Sequence, residues 1–351
     1  MRADRLAERL AERKLDALLV TSRTNLRWVT GFTGTNGVCI VGPEQRDFIT
    51  DFRYVEQAAE QVDGFERVRG ERDLLGDVAS RLSGRVGFED QHLSVRTHAK
   101  LGELAEGVEL VPAGGIVEDL RAVKDAAEVE AIRAAAALAD DAFEAALARG
   151  LAGRTERDFA RDLEREMRDR GAEDPSFPSI VAFGAHGALP HAVPRDLEIP
   201  GGALVVCDFG ARLDGYCSDC TRTIATGEVD GQAAEVYELV RAAQEAAVDA
   251  VAPGIGCKEL DGVARERIAA AGHGEEFGHG LGHGVGLEVH EEPRLAQSAT
   301  GELAPGMVVT VEPGVYVAGA FGVRIEDLVV VTDTGRDILS RFPKALTVAG
   351  A

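Results

Sequence analysis

The sequence predicts an α+β chain of two domains: a smaller α/β domain over residues 1–120 and a larger α+β domain over 121–351. Three observations carry this. Up to about residue 118, short apolar runs alternate with charged segments of helical character. At "EDLRAVKDAAEV", beginning at Glu118, the chain turns polar and launches a long alanine-rich stretch. Beyond it, helical stretches followed by an acid-bearing strand hairpin occur twice, as a loose duplication.

Taken in order, Leu6, Leu10 and Leu15 among charges predict an amphipathic helix, which runs into a buried strand from Ala17 to Val20. Strands follow at "GVCIVG" (37–42), "RDFIT" (46–50) and "RVGFE" (85–89), with helical segments at 53–62 and 71–83. The second domain opens with a helix from about Asp125 to Arg149, then one over 155–170 stopped by Gly171. Two more helices are expected at about 231–251 and 258–271. Strand clusters lie at 179–183, 203–226 and 307–331, forming a mainly antiparallel sheet.

Composition narrows the function. Acidic residues outnumber basic ones by 60 to 38, and a net charge of −22 repels nucleic-acid phosphates and anionic membrane surfaces. No run of about 18 apolar residues is present, and the charged N-terminus lacks the apolar core of a secretory signal, so a cytoplasmic protein is expected. Five cysteines, an odd and low count, predict free thiols. Cys217 and Cys220 have the spacing of a zinc knuckle, but no second pair accompanies them, and a strand would point them to opposite faces.

The run "EFGHGLGHGVGLEVHEEP" (276–293) holds three of the eight histidines, His279, His283 and His290. Glycine at every second position from Gly278 to Gly286 argues against a helix and for a backbone that passes close to something. In "ALVVCDFGARLDGYCSDCTRTIA" (203–225), Asp214-Gly215 is a turn signal that places Asp208 and Asp219 opposite each other or two residues out of register, on one face. In "VVTVEPGVYVAGAFGVRIEDLVVV" (308–331), Glu312 ends one apolar strand and Glu326 sits within the next. Surface hairpins commonly carry acids, but runs such as "LVVCD" and "VVTVE" embed these in strands that should be buried. Four carboxylates and one imidazole suit Mn²⁺, Co²⁺, Fe²⁺ or Zn²⁺, and four negative charges balance two divalent ions. Two such ions sharing a water acidify it enough to supply hydroxide near neutral pH.

With their surroundings "DFGA", "YCSDCTRT", "HGLGHGVGLEVHE", "VTVEPGVY" and "GVRIED", these five residues resemble the prolidase/aminopeptidase P group of pita-bread metallopeptidases. "TNLRWVTGFTGTNG" and "ITDFRYVEQA" resemble that group's creatinase-like N-terminal domain, so the likeness spans nearly the whole chain. The resemblance implies hydrolysis of Xaa-Pro bonds in short proline-containing peptides by a homodimer with two divalent ions, Mn²⁺ foremost. It makes Asp208, Asp219, His283, Glu312 and Glu326 the metal ligands, with Asp219 and Glu326 bridging and Glu312 also the general base. It gives His191 and His290 to the scissile carbonyl and tetrahedral intermediate, His279 to the proline ring, Arg294 to the free carboxylate of the leaving proline, and Arg324 to orienting a ligand.

His92, His98, His186 and His273 are read as structural. A creatinase-like amidinohydrolase, or another small-molecule hydrolase or lyase on the same fold, is the alternative; creatinases lack the five ligands, which are intact here. Proline specificity has a physical basis: an Xaa-Pro bond has no N–H, so peptidases that clamp substrate as a strand cannot use it.

Overall fold

The computed structural model describes residues 2–349, which form two compact units parting between Arg121 and Ala122. The first unit is built on a mixed six-stranded sheet. Its strands run in the order Glu66–Arg69, Arg46–Thr50, Gly37–Val41, Ala17–Val20, Arg85–Phe88 and Glu109–Pro112. Ala17–Val20 is central and wholly buried, as its unbroken apolar text requires. The helix Arg2–Glu12 buries Ala3, Leu6 and Leu10 and leaves its charges outside.

Local detail departs from the sequence pattern here. The helices expected at 53–62 and 71–83 shrink to Val55–Gln61 and Leu75–Ala79. In the second case the Asp77 carboxylate accepts from the Glu71 N–H, so residue 71 is held in a loop. A further helix, Arg23–Thr30, occupies "RTNLRWVT", whose β-branched and aromatic residues disfavour helix. Tertiary bonds override that preference. Buried Glu89 accepts from the Thr21 and Ser22 N–H groups and from Asn25 Nδ2, and Gly31 ends the helix at φ 80°.

The second unit repeats one device. Asp125 and Glu128 form a capping box that opens the helix Ala126–Leu147, and Thr155 caps Glu156–Asp169. This pair packs Phe143, Phe159, Leu163 and Met167 against Val205, Cys207 and Phe209 of the strand Leu204–Phe209. That strand is the middle of an antiparallel sheet between Cys220–Ala225 and Ile180–Phe183. The second helix pair, Gly231–Ala250 and Cys257–Ala270, packs Val240, Ala247, Leu260 and Ala264 against Val309, Val311, Val323 and Val329. Its strands form a five-stranded sheet in the order Glu291–Leu295, Gly282–Gly284, Val308–Val311, Asp327–Thr332 and Gly335–Ile338, with the hairpin Gly314–Val317/Phe321–Arg324 beside it. The two halves are stitched by the Glu326 N–H, which donates to the Thr221 carbonyl at 3.1 Å, and by the Arg324 N–H on Thr223 Oγ1 at 3.0 Å. That seam brings the acid-bearing strand ends together.

Candidate metal centre

The first acid pair is placed by its turn. Asp214 and Gly215 adopt positive φ (48° and 79°), as a type I′ turn requires, and pair Leu213 with Tyr216. The same register carries through to Asp208 opposite Thr221, so Asp219 lies two residues out of register with Asp208, the second of the two arrangements expected. Gly210 permits the crossing between them, since a Cβ there would sit 2.0 Å from the Ser218 carbonyl oxygen.

The second pair differs from expectation at one position. Glu312 follows the strand Val308–Val311 as read, but Glu326 falls in the break between Phe321–Arg324 and Asp327–Thr332 rather than within a strand. The cause is the seam: at Glu326 the backbone bonds to Thr221 of the other hairpin instead of a ladder partner. Thr221 Oγ1 also donates to Glu326 Oε2 at 2.8 Å.

One oxygen each from Asp208, Asp219 and Glu326 lies within 4.8 Å of the others. His283 Nε2 stands 3.6 Å from Asp219 and 3.2 Å from Glu312, linking the fourth acid to the other three. His283 Nδ1 is 3.1 Å from the Gly284 carbonyl, which can only accept, so that nitrogen carries a proton and Nε2 is directed at the acids. Thr310 Oγ1 accepts from the His283 N–H and donates to Glu312 Oε1, holding both.

Electrostatically the cluster is incomplete by itself. Burial, then repulsion from neighbouring carboxylates, pushes Asp219 and Glu326 well above the usual carboxylate range. Burial raises Asp208 too, against the pull of Arg324. Glu312 goes the other way, because burial is outweighed by the His283 hydrogen bond and charge, which hold it down at about 2. Two buried oxygens, Asp208 Oδ1 and Glu326 Oε1, have no hydrogen-bond donor among the described residues. Clustered carboxylates, orphaned oxygens and an imidazole nitrogen aimed at acids fit divalent cations.

Around this core, Arg324 donates to Asp208 Oδ2 at 2.7 Å, to Thr221 Oγ1 at 3.0 Å and to the Tyr316 hydroxyl at 2.7 Å. His279 Nδ1 donates to the Gly280 carbonyl, so Nε2 accepts from the Tyr316 hydroxyl at 2.9 Å. A chain of hydrogen bonds thus runs Asp208–Arg324–Tyr316–His279. Burial holds His279 below the ordinary histidine value, consistent with that neutral tautomer. Sequence reasoning missed Tyr316; its only signal was a hydroxyl in the otherwise apolar "GVYV". Asp261 and Arg265 were also missed. Arg265 donates to the Phe277 and His279 carbonyls and Asp261 accepts from the Leu281 N–H, fixing the approach to His283.

The glycine run has the close approaches its composition implied. A Cβ at Gly282 would sit 2.1 Å from the Thr310 carbonyl oxygen, and one at Gly284 2.2 Å from that of Glu292. His290 is exposed, its ring 4.3 Å from that of His283. Partial desolvation of the ring, then the charge of His283, holds its ionisation below the ordinary histidine value. His191 is exposed, and Arg294 is an exposed strand residue directly across from His283. The four other histidines sit elsewhere: His92 near Glu118, His98 on Phe88, His186 on Glu156 and His273 on Glu276. All five cysteines are free and buried; the Cys217 and Cys220 thiols point at the carbonyls of Leu287 and Glu326.

Comparison with known proteins agrees with this geometry. Residues 130–333 match the model of metallopeptidase family M24, and residues 2–123 that of the creatinase/prolidase N-terminal domain. The chain is 42% identical to an uncharacterized peptidase of Bacillus subtilis, YqhT, over 99% of this chain and 100% of that one. Among solved structures, an Xaa-Pro dipeptidase from Bacillus anthracis superposes with a TM-score of 0.97 at 40% identity, covering 99% of both chains. An X-Pro aminopeptidase from Thermotoga maritima gives 0.91 at 35% identity, covering 99% and 100%. Among the described residues no helix is long and apolar enough to cross a membrane. With its clustered acids and imidazole in a pita-bread domain that follows a creatinase-type domain, the chain belongs to metallopeptidase family M24.

Proposed function

We propose that this protein hydrolyses Xaa-Pro bonds in short peptides, with Asp208, Asp219, His283, Glu312 and Glu326 holding two divalent ions, Mn²⁺ before Co²⁺, Zn²⁺ or Fe²⁺. The observation that carries the reading is the buried acid cluster with its two donorless oxygens, beside His283 and Glu312. When bound, divalent ions supply Lewis acidity to the scissile carbonyl and acidify a water. Glu312, ionised at neutral pH, takes the proton of the attacking water and passes it to the leaving proline nitrogen. His191 and His290 donate hydrogen bonds to the carbonyl oxygen as it gains negative charge. His279, kept neutral by burial and locked by Tyr316, offers a ring face to the proline. The intact ligand set disfavours the creatinase-like alternative. The test is release of proline from Ala-Pro by metal-stripped protein after Mn²⁺, Co²⁺ or Zn²⁺ is restored; no turnover with any of them would defeat the reading.

Dipeptidase and aminopeptidase activities divide on Arg294. Its exposure and its position across the strand from His283 support a role in binding a carboxylate beyond the scissile bond, which Ala-Pro has and Ala-Pro-Ala replaces with an amide. A hydrogen bond to a charged group contributes about 1.5–3 kcal/mol, so Arg294→Ala should lower kcat/KM for Ala-Pro by roughly ten- to a hundredfold. Ala-Pro-Ala should change far less. Equal losses on both substrates would assign Arg294 a structural role, and no loss on either would favour an aminopeptidase. A homodimer, carried by the family likeness alone, should scatter light at twice the 37.2 kDa chain mass; a monomer at micromolar concentration would count against it.

A further inference from the structure

Of the residues assigned to the reaction, His191 stands farthest along the chain from any helix or strand that could carry it. It lies in the segment 184–194, between the strand Ile180–Phe183 and Arg195, and the neighbouring apolar side chains Leu189 and Val193 are 56% and 77% exposed. Burial does little to hold such a segment, so polar bonds must fix it.

Those bonds converge on one carboxylate. Glu156, the first residue of the helix Glu156–Asp169, has a fully buried side chain. It accepts from the Phe183 N–H at 3.1 Å and from His186 Nδ1 at 3.0 Å on the near side of the segment. From the far side it accepts the Arg195 N–H at 2.8 Å, Arg195 Nε at 3.1 Å and Nη2 at 3.0 Å. Burial works against the charge, but these donors outweigh it and hold Glu156 below the usual range, so the acceptor is a carboxylate at neutral pH. Inside the clamp, the Leu189 N–H donates to the His186 carbonyl and the Ala192 N–H to that of Leu189, so the turn bearing His191 hangs from the clamped His186. Arg324, which also holds Asp208, donates to the Pro190 carbonyl at 3.3 Å.

We infer that Glu156 is a positioning residue, which fastens both ends of the 184–194 segment and thereby sets where His191 meets the substrate. This rests on the assignment of His191 to the scissile carbonyl. A carboxylate that merely stabilised the helix start would bond its own helix; this one spends its acceptors on the two ends of another segment. The contribution of His191 grows as charge develops on the carbonyl oxygen, so its misplacement should appear in kcat rather than KM.

Glu156→Gln keeps the shape but turns an amide NH₂ toward N–H donors. It should lower kcat on Ala-Pro about tenfold with KM changed less than about twofold and metal content unaltered. Amide exchange in a peptide covering 184–195 should quicken. In a His191→Ala background the same substitution should have no further effect on kcat, because there is nothing left to position. Arg195→Ala, at a residue whose side chain is 43% exposed, removes donors from outside the core and should give a smaller loss with the same non-additivity, even if Glu156→Gln fails to fold. Losses that add to that of His191→Ala, or unchanged kcat in both clamp variants, would overturn the inference. Full activity of His191→Ala itself would instead refute the assignment on which the inference stands, whatever the clamp variants do.

Discussion

Alanine at Asp219 or at Glu326 is expected to abolish Xaa-Pro hydrolysis and to lower the metal content of the chain. Both side chains are buried within the acid cluster, and Asp219 also approaches His283. Loss of a group that merely orients a metal ligand already costs about 10–100-fold in affinity or activity, so loss of a ligand should exceed that. The fold should survive, since either change removes a carboxylate from a site where acids repel one another. Metal analysis after dialysis, alongside turnover of Ala-Pro, reads both effects. A variant that keeps two tightly held ions and full turnover would remove its residue from the centre.

Metal-stripped protein should lose stability as pH rises from about 4 toward 8, while metal-loaded protein should not, so the gap in Tm between them should widen. Asp219 and Glu326 are raised in the folded chain above their ordinary 3.8 and 4.5. Between the ordinary and raised values the folded state binds more protons than the unfolded one, and stability therefore falls with rising pH. His283 acts in the same direction: burial lowers it, but the Glu312 hydrogen bond and charge raise it above 6.5, so its contribution is present below 6.5 and is lost as pH passes the raised value. Glu312, lowered to about 2, contributes fully above 4.5 and leaves the slope unchanged across the window. Each pH unit between the folded and unfolded values costs at most about 1.4 kcal/mol per group, and metal binding, which displaces these protons, strengthens over the same range. Thermal melts at pH 5 to 8 with and without chelator measure the gap. A gap that stayed constant or narrowed would show that the acids do not repel one another in the folded chain.

How far the sequence announced this centre depends on the range of the forces involved. Asp208 and Glu312 stood out because charge at the end of an apolar strand is costly, and Asp214-Gly215 disclosed the pairing of Asp208 with Asp219 because few sequences tolerate two positive φ values in succession. The helix starts expected near Asp125 and 155 hold because their caps, Asp125 with Glu128 and Thr155, are each completed within one turn. By contrast, the break at Glu326 is made by Thr221, and the clamp at Glu156 by groups as distant as Arg195. Tyr316 acquires its role only through His279 and Arg324. The helix Arg23–Thr30 likewise depends on Glu89, far along the chain. Such bonds join residues whose neighbours in sequence carry no trace of the partner.

The seam between Glu326 and Thr221 also bears on how the protein is made. Asp208 and Asp219 leave the ribosome about a hundred residues before Glu312 and Glu326, and chains are synthesised from the N-terminus at finite speed. During that interval the growing chain can display only half of the negative charge that draws a divalent ion, and its first hairpin has no second hairpin to lie against. Full charge density exists only once the strands flanking Glu312 and Glu326 have joined the first hairpin. On the proposed ligand set, loading is thereby ordered after synthesis, and a chain cut short before residue 312 would lack half of the acids that set provides.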